Sequence, residues 1–120
     1  MQSNKDKNLI VELTFVFALK IIKYVELLEQ GRKYVIARQL IRSGTSIGAN
    51  VREAQNAESR ADFIHKLKVV AKEADETEYW LLLCKESTGY EKNDELLQNC
   101  TSIIKVLSKI IASSKLKPIA

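Results

Sequence analysis

The chain has a single proline, Pro118, and only four glycines in 120 residues. So few turn formers exclude sandwiches and barrels built from many short strands, and they favour a few long helices. Cysteine and histidine are equally scarce: Cys84, Cys100 and His65 are all there are. The two cysteines form no CxxC pair and occupy apolar positions of a helical pattern. They therefore read as buried reduced thiols, and neither a disulfide nor a metal site has support. A membrane span needs roughly 20 apolar residues with few or no charges. The most apolar stretch, Leu9 to Leu28, is interrupted by Glu12, Lys20, Lys23 and Glu26. The opening MQSNKDKN carries no signal-peptide pattern. The expectation is a cytoplasmic protein with no membrane partner.

What is present is a chain able to fold. Hydrophobic residues make up 46% and charged residues 28%, enough to bury a core and keep the outside wetted. The length suits one domain, 1–120. Apolar residues recur with helical period in four segments, predicting helices over about 6–29, 33–57, 59–87 and 92–113. Gln30-Gly31 stops the first. Ser59 caps the third, with Asp62 at its third position as in a capping box, and Ser87-Thr88-Gly89 ends it. Phe63, Leu67, Val70, Ala74, Thr77, Leu81 and Cys84 form one stripe. Leu96, Cys100, Ile103, Leu107 and Ile110 form another. Short links between long helices make consecutive helices antiparallel neighbours. The predicted fold is all-α, an antiparallel up-down four-helix bundle.

The first helix breaks the pattern. Leu13, Phe15, Val16, Phe17, Leu19, Ile21, Ile22, Tyr24, Val25, Leu27 and Leu28 fall right around its wheel. A bundle of this size leaves one face of each helix in water, so apolar residues on several faces call for a second burial surface. Another copy of the chain supplies it most simply, giving a ring-like homo-oligomer. A greasy patch for a different partner is the competing reading. Phe15 and Phe17 are the expected contact residues.

The second helix carries Gly44 and Gly48 in its interior, each costing roughly 1 kcal/mol against alanine. Four apart, they share a face that can accept a close-packed neighbour, and they join the expected oligomer interface; a kink is the alternative. No strand precedes them and no glycine-rich phosphate motif is present. Ile36, Leu40, Ile47, Val51 and Ala54 make the core stripe, with Arg38, Arg42 and Arg52 roughly opposite. Arginines on such a face either bind phosphates bidentately or pair with acids of a neighbouring helix. Ser46, Asn50 and Glu53 line the edge of the core, where short polar groups hydrogen-bond across to another helix as a structural clasp.

Charge is segregated along the chain. Residues 32–72 hold nine basic and three acidic residues, net +6, and residues 73–95 hold two and eight, net −6. Residues 96–120 hold four basic residues and no acidic ones. In an antiparallel bundle Arg52, Arg60, Lys66, Lys68, Lys105, Lys109, Lys115 and Lys117 gather toward one end. Such an end suits a polyanion, RNA or DNA. Tyr34, Tyr79, Trp80 and Tyr90 do not interleave with the basic run. Backbone-phosphate binding without sequence specificity is therefore what the pattern supports. Glu73, Glu76, Glu78, His65 and Lys72 share the third helix, but one histidine cannot supply the repeated Glu-x-x-His of a di-iron bundle, and no G-x-S-x-G motif occurs. The expectation is a non-enzyme without cofactor or metal.

The stretch Ser43 to Leu81 resembles the four-helix-bundle proteins encoded in intervening sequences of bacterial large-subunit ribosomal RNA genes. That family is related to the accessory variability determinants of diversity-generating retroelements. Ser46, Ile47, Asn50, Glu53, Phe63, Ile64 and Leu67 match its pattern, and Ala71, Glu73, Ala74 and Glu78 fit the continuation. Glu53-Ala54 stands where the family often has Glu-Gly. The resemblance implies a homopentameric barrel that associates with nucleic acid. It also implies a possible protein partner, a reverse transcriptase, in the retroelement branch.

Overall fold

The computed structural model describes residues 2–116, with side chains from Leu9 onward. It consists of four helices, α1 (Gln2–Gln30), α2 (Tyr34–Ala54), α3 (Arg60–Glu86) and α4 (Asp94–Leu116), and no strand occurs among the described residues. The chain is all-α, as the scarcity of turn formers implied.

Local chemistry sets most of the helix ends. Ser59 has extended backbone and its hydroxyl accepts the Asp62 N–H at 3.0 Å. The Asp62 carboxylate reaches one residue beyond a capping box, accepting from the Glu58 N–H at 3.1 Å. Asn93 does the same work for α4, its side-chain oxygen accepting from the Leu96 N–H at 2.9 Å. These bonds satisfy amide donors that have no partner within the helix. The second helix stops at Ala54, three residues before the predicted end. There Gln55, Asn56 and Ala57 each donate to the carbonyl three residues back, a tightened last turn. At the end of α1 the left-handed residue is Arg32, at φ 63, and not the neighbouring Gly31. Arg32 N–H donates to Glu29 O and Lys33 N–H to Leu28 O, the paired bonds of a Schellman closure.

Each helix packs on two others: α1 on α2 and α4, and α3 on α2 and α4. The helices α1 and α3 thus stand at opposite corners. Contacting positions rise along one helix as they fall along the next. Ile21 meets Gly44, and Thr14 meets Gly48; Ser43 meets Thr77, and Glu53 meets Lys66; Glu78 meets Thr101, and Lys85 meets Asp94. The result is a rod of 55 × 21 × 19 Å.

The core follows the apolar period. All seven predicted stripe residues of α3 and all five of α4 are buried. On α2, Leu40, Ile47, Val51 and Ala54 are buried and Ile36 half-buried. Burying each large aliphatic side chain stabilises by about 1.5–3 kcal/mol. Both cysteines are buried thiols.

The glycines and Phe17 need correction. Phe17 is 1% exposed, turned into the core of its own chain, while Phe15, two residues earlier, is 54% exposed. A two-residue step rotates a helical side chain by about 200°, so the two phenylalanines were never on one face. Gly44 and Gly48 are also spent inside the copy. They let α2 close onto α1, where a Cβ at 44 would sit 2.8 Å from Ile21 Cγ1 and one at 48 would sit 3.1 Å from the Thr14 carbonyl oxygen. Of the four expected interface residues, Phe15 alone faces outward.

Candidate nucleic-acid interface

The α2–α3 seam is crossed by buried and half-buried polar side chains. The Ser43 and Thr77 hydroxyls, both fully buried, lie 2.9 Å apart, and Thr77 also donates to the Glu73 carbonyl at 2.8 Å. Ser46 Oγ donates to the Glu73 carboxylate at 2.7 Å. Arg42 approaches the same carboxylate at 3.5 Å and pairs closely with Glu76, whose oxygen also accepts from the Trp80 indole at 2.9 Å. Every buried side-chain nitrogen and oxygen among the described residues has a partner. The chemistry here is clasping: hydroxyls and an arginine hold two helices in register.

The clasp settles several predicted residues. Ser46 does reach across to another helix. Asn50 does not, since its amide donates back to Ser46 O at 2.9 Å within α2. Glu53 reaches Lys66 at 3.6 Å, and Lys66 also lies 3.6 Å from Asp62. Arg42 and Lys66, both predicted phosphate ligands, are thus engaged by carboxylates of their own chain. Sequence reading placed Arg42 on a face away from the core. It could not show that the facing turn of α3 brings two glutamates to it.

The remaining cations divide by height. Arg52 stands at the end of α2, Arg60 at the start of α3 and Lys115 at the end of α4, so all three belong to one end of the rod. Arg60 and Lys109 have further contacts of their own. Lys68 and Lys115 meet across the α3–α4 seam, and the Lys115 ammonium pushes the Lys68 amine below its ordinary pKa. Like charges side by side disfavour the charged form of each other. Lys105 is ten residues from Lys115, about 15 Å along the axis, and sits near mid-rod. Arg38 lies one turn into α2, toward the opposite end. Neither joins the basic end, and Lys117 lies outside the described residues.

Four of the eight acids in residues 73–95, Glu73, Glu76, Asp94 and Glu95, form ion pairs within the chain. Lys20 binds Glu95 at 2.7 Å, which holds that carboxyl below its usual range, and Lys20 also donates to Asn99 at 3.0 Å. Lys85 pairs with Asp94 at 3.7 Å. The negative half of the sequence is therefore partly neutralised within the chain, while Lys68 and Lys115 have no carboxylate partner among the described residues. No cluster of three metal-ligating side chains occurs among the described residues. None of the helices is long and apolar enough to cross a membrane.

One feature was missed by sequence reasoning. Between α1 and α4 runs a cleft of about 350 Å³, floored by Leu9, Leu13, Val16, Phe17 and Ile103 and rimmed by Glu12, Lys20, Asn99 and Ser102. Its signal was the excess of apolar residues on α1, but a wheel alone does not say which of them open into a groove.

Comparison with known proteins bears directly on this bundle. The chain is similar to a protein of unknown function from the S23 ribosomal protein family of Bacteroides thetaiotaomicron, known from a crystal structure. The two share 41% identity and superpose with a TM-score of 0.84, covering 89% of this chain and 98% of that one. No curated protein matches. The family model of the 23S rRNA-intervening sequence proteins matches residues 6–109, nearly the whole of the described bundle. On that match, the chain belongs to the 23S rRNA-intervening sequence protein family.

Proposed function

We propose that this protein is a non-catalytic, antiparallel up-down four-helix bundle. In this reading it assembles into a ring-like homo-oligomer in the cytoplasm, pentameric on the family resemblance, and binds structured RNA or DNA through backbone phosphates. The observation that carries the reading is the corner where α3 begins and α4 ends. There Lys68 and Lys115 lie together with no carboxylate partner among the described residues, in the half of the rod that also carries Arg52 and Arg60. Exposed ammonium groups at this corner attract a polyanion, the attraction is screened by salt, and a ring would repeat it in each copy. Binding by phosphate contact releases counterions, so affinity must fall with salt. Fluorescence anisotropy with a structured RNA should show a loss of tenfold or more between about 50 and 200 mM salt. Constant affinity over that range, or no binding at the lower salt, overturns the proposal.

A second reading, a protein-interaction scaffold engaging another protein such as a reverse transcriptase, is favoured by Tyr34 and Val35. Both are well exposed at the end of the rod away from Lys115. A pull-down treated with nuclease separates the two readings: a partner retained after nuclease supports the scaffold.

A further inference from the structure

The cleft between α1 and α4 plays no part in phosphate binding, and its chemistry is of a different kind. Phe17 and Ile103, each 1% exposed, lie deepest in it, with half-buried Leu13 and exposed Val16 beside them. Its volume of about 350 Å³ falls among small-molecule sites, which combine an apolar lining with a few placed polar groups.

Those polar groups are unequal. Glu12, Val16 and Lys20 are four residues apart and run along one side of α1. The cleft is therefore elongated along the rod, with its two charged rim groups roughly 12 Å apart along the axis. At one end Lys20 is already held, by Glu95 at 2.7 Å and by the Asn99 side-chain oxygen at 3.0 Å. At the other end Glu12 makes no ion pair among the described residues, and Arg52, across the α1–α2 groove from it, is no exception. On the facing rim of α4 the Ser102 hydroxyl makes no hydrogen bond among the described residues. The cleft thus offers oily surface, one uncommitted hydroxyl and one unmatched negative charge.

We infer that this cleft binds a small amphiphilic cation. Its apolar body lies along Val16 over Phe17 and Ile103, and its ammonium head sits at Glu12. Burying the body removes apolar surface from water on both sides, which is the main driving force. The head decides the sign of charge. An amphiphilic carboxylate would be repelled by Glu12, and the cleft's own cation, Lys20, is matched by Glu95. The site is separate from the Lys68–Lys115 corner and needs neither RNA nor a second copy.

Methyl NMR of the full chain at low salt tests it, in titrations with phenethylammonium and with hydrocinnamate, a probe of similar size and opposite charge. The ammonium should shift the Leu13, Val16 and Ile103 methyls saturably, with the millimolar affinity that so small a ligand allows. The carboxylate should bind roughly three- to tenfold more weakly. Glu12→Lys, a change at an exposed position, should reverse that order. Val16→Trp, checked for retained helicity by circular dichroism, should fill the cleft and remove the binding of both. Shifts that do not saturate, equal affinity for the two probes, or an order unaltered by Glu12→Lys overturns the proposal. So does a cleft already filled by a second copy, seen as the same methyl shifts on concentrating the protein alone, with the probe unable to reverse them. RNA affinity should be unmoved by Val16→Trp, which keeps this test separate from that of phosphate binding.

Discussion

A methyl group at position 44 would sit 2.8 Å from Ile21 Cγ1 and 3.0 Å from two further carbons of that side chain. Ile21 is fully buried and has nowhere to swing. Gly44→Ala gains about 1 kcal/mol of helix propensity, but overpacking a tight core costs about 1–3 kcal/mol. The expected outcome is a net loss of stability, read as a lower urea midpoint at fixed protein concentration. Gly31→Ala is the control. Its nearest contact would be an ordinary 3.5 Å and its φ is not left-handed, so it should be neutral or stabilise by about 0.4–1 kcal/mol. Equal midpoints for the two variants would show that closeness at Gly44 does not limit the α1–α2 approach. The glycine spacing pointed to a close-packed neighbour, but the neighbour is α1 of the same chain. Period on a wheel reports which residues share a face and is silent on what meets that face.

At the scale of elements, the end of α1 shows how a stop signal can be right while its conformation is elsewhere. Gly31 marks the end, yet the left-handed turn falls on Arg32. A residue with a Cβ in that region is strained by about 1–2 kcal/mol, and glycine there loses about 0.5–1 kcal/mol through its freer unfolded chain. Arg32→Gly should therefore stabilise by up to about 1 kcal/mol, raising the thermal midpoint by a few degrees in a circular-dichroism melt. A lower midpoint would show that the Arg32 side chain contributes more than its backbone costs. Helix number and most ends were legible because caps and stops are short-range chemistry. Ser59 with Asp62 is the clearest case. The early stop of α2 at Ala54 was not legible, because no breaker stands there and the tightened turn depends on where α3 must begin.

For the molecule as a whole, burial links alkaline pH to stability. The Cys100 thiol, buried between α3 and α4 against the Ala74 carbonyl at 3.5 Å, is pushed up by desolvation to about 12 from an ordinary 9.0. Burial also raises Cys84 and Tyr24. A group whose folded pKa is raised binds its proton more tightly when folded. Its contribution is therefore complete below about pH 9 and is lost as pH climbs through 12. Urea midpoints should fall progressively above pH 9, and Cys100→Ala should flatten that fall. An identical slope in the variant would place the alkaline sensitivity elsewhere. Whole-molecule charge, in contrast, was only half legible. The +6 and −6 blocks are real, but Arg42, Lys66, Lys20 and Lys85 spend themselves on carboxylates of the same chain.

The sequence by itself determined four helices, the buried stripes of α3 and α4, the chemistry of most helix ends and the excess of apolar surface on α1. All of these depend on residues within a few turns of one another, and a chain's own period encodes them. Only the tertiary structure decided that Phe17 is core while Phe15 is not, that Glu73 and Glu76 hold Arg42, and that Lys68 meets Lys115. Those outcomes depend on the relative height and rotation of packed helices. That geometry is set by the close approach of α1 to Gly44 and Gly48 and by the hydroxyl clasp between α2 and α3.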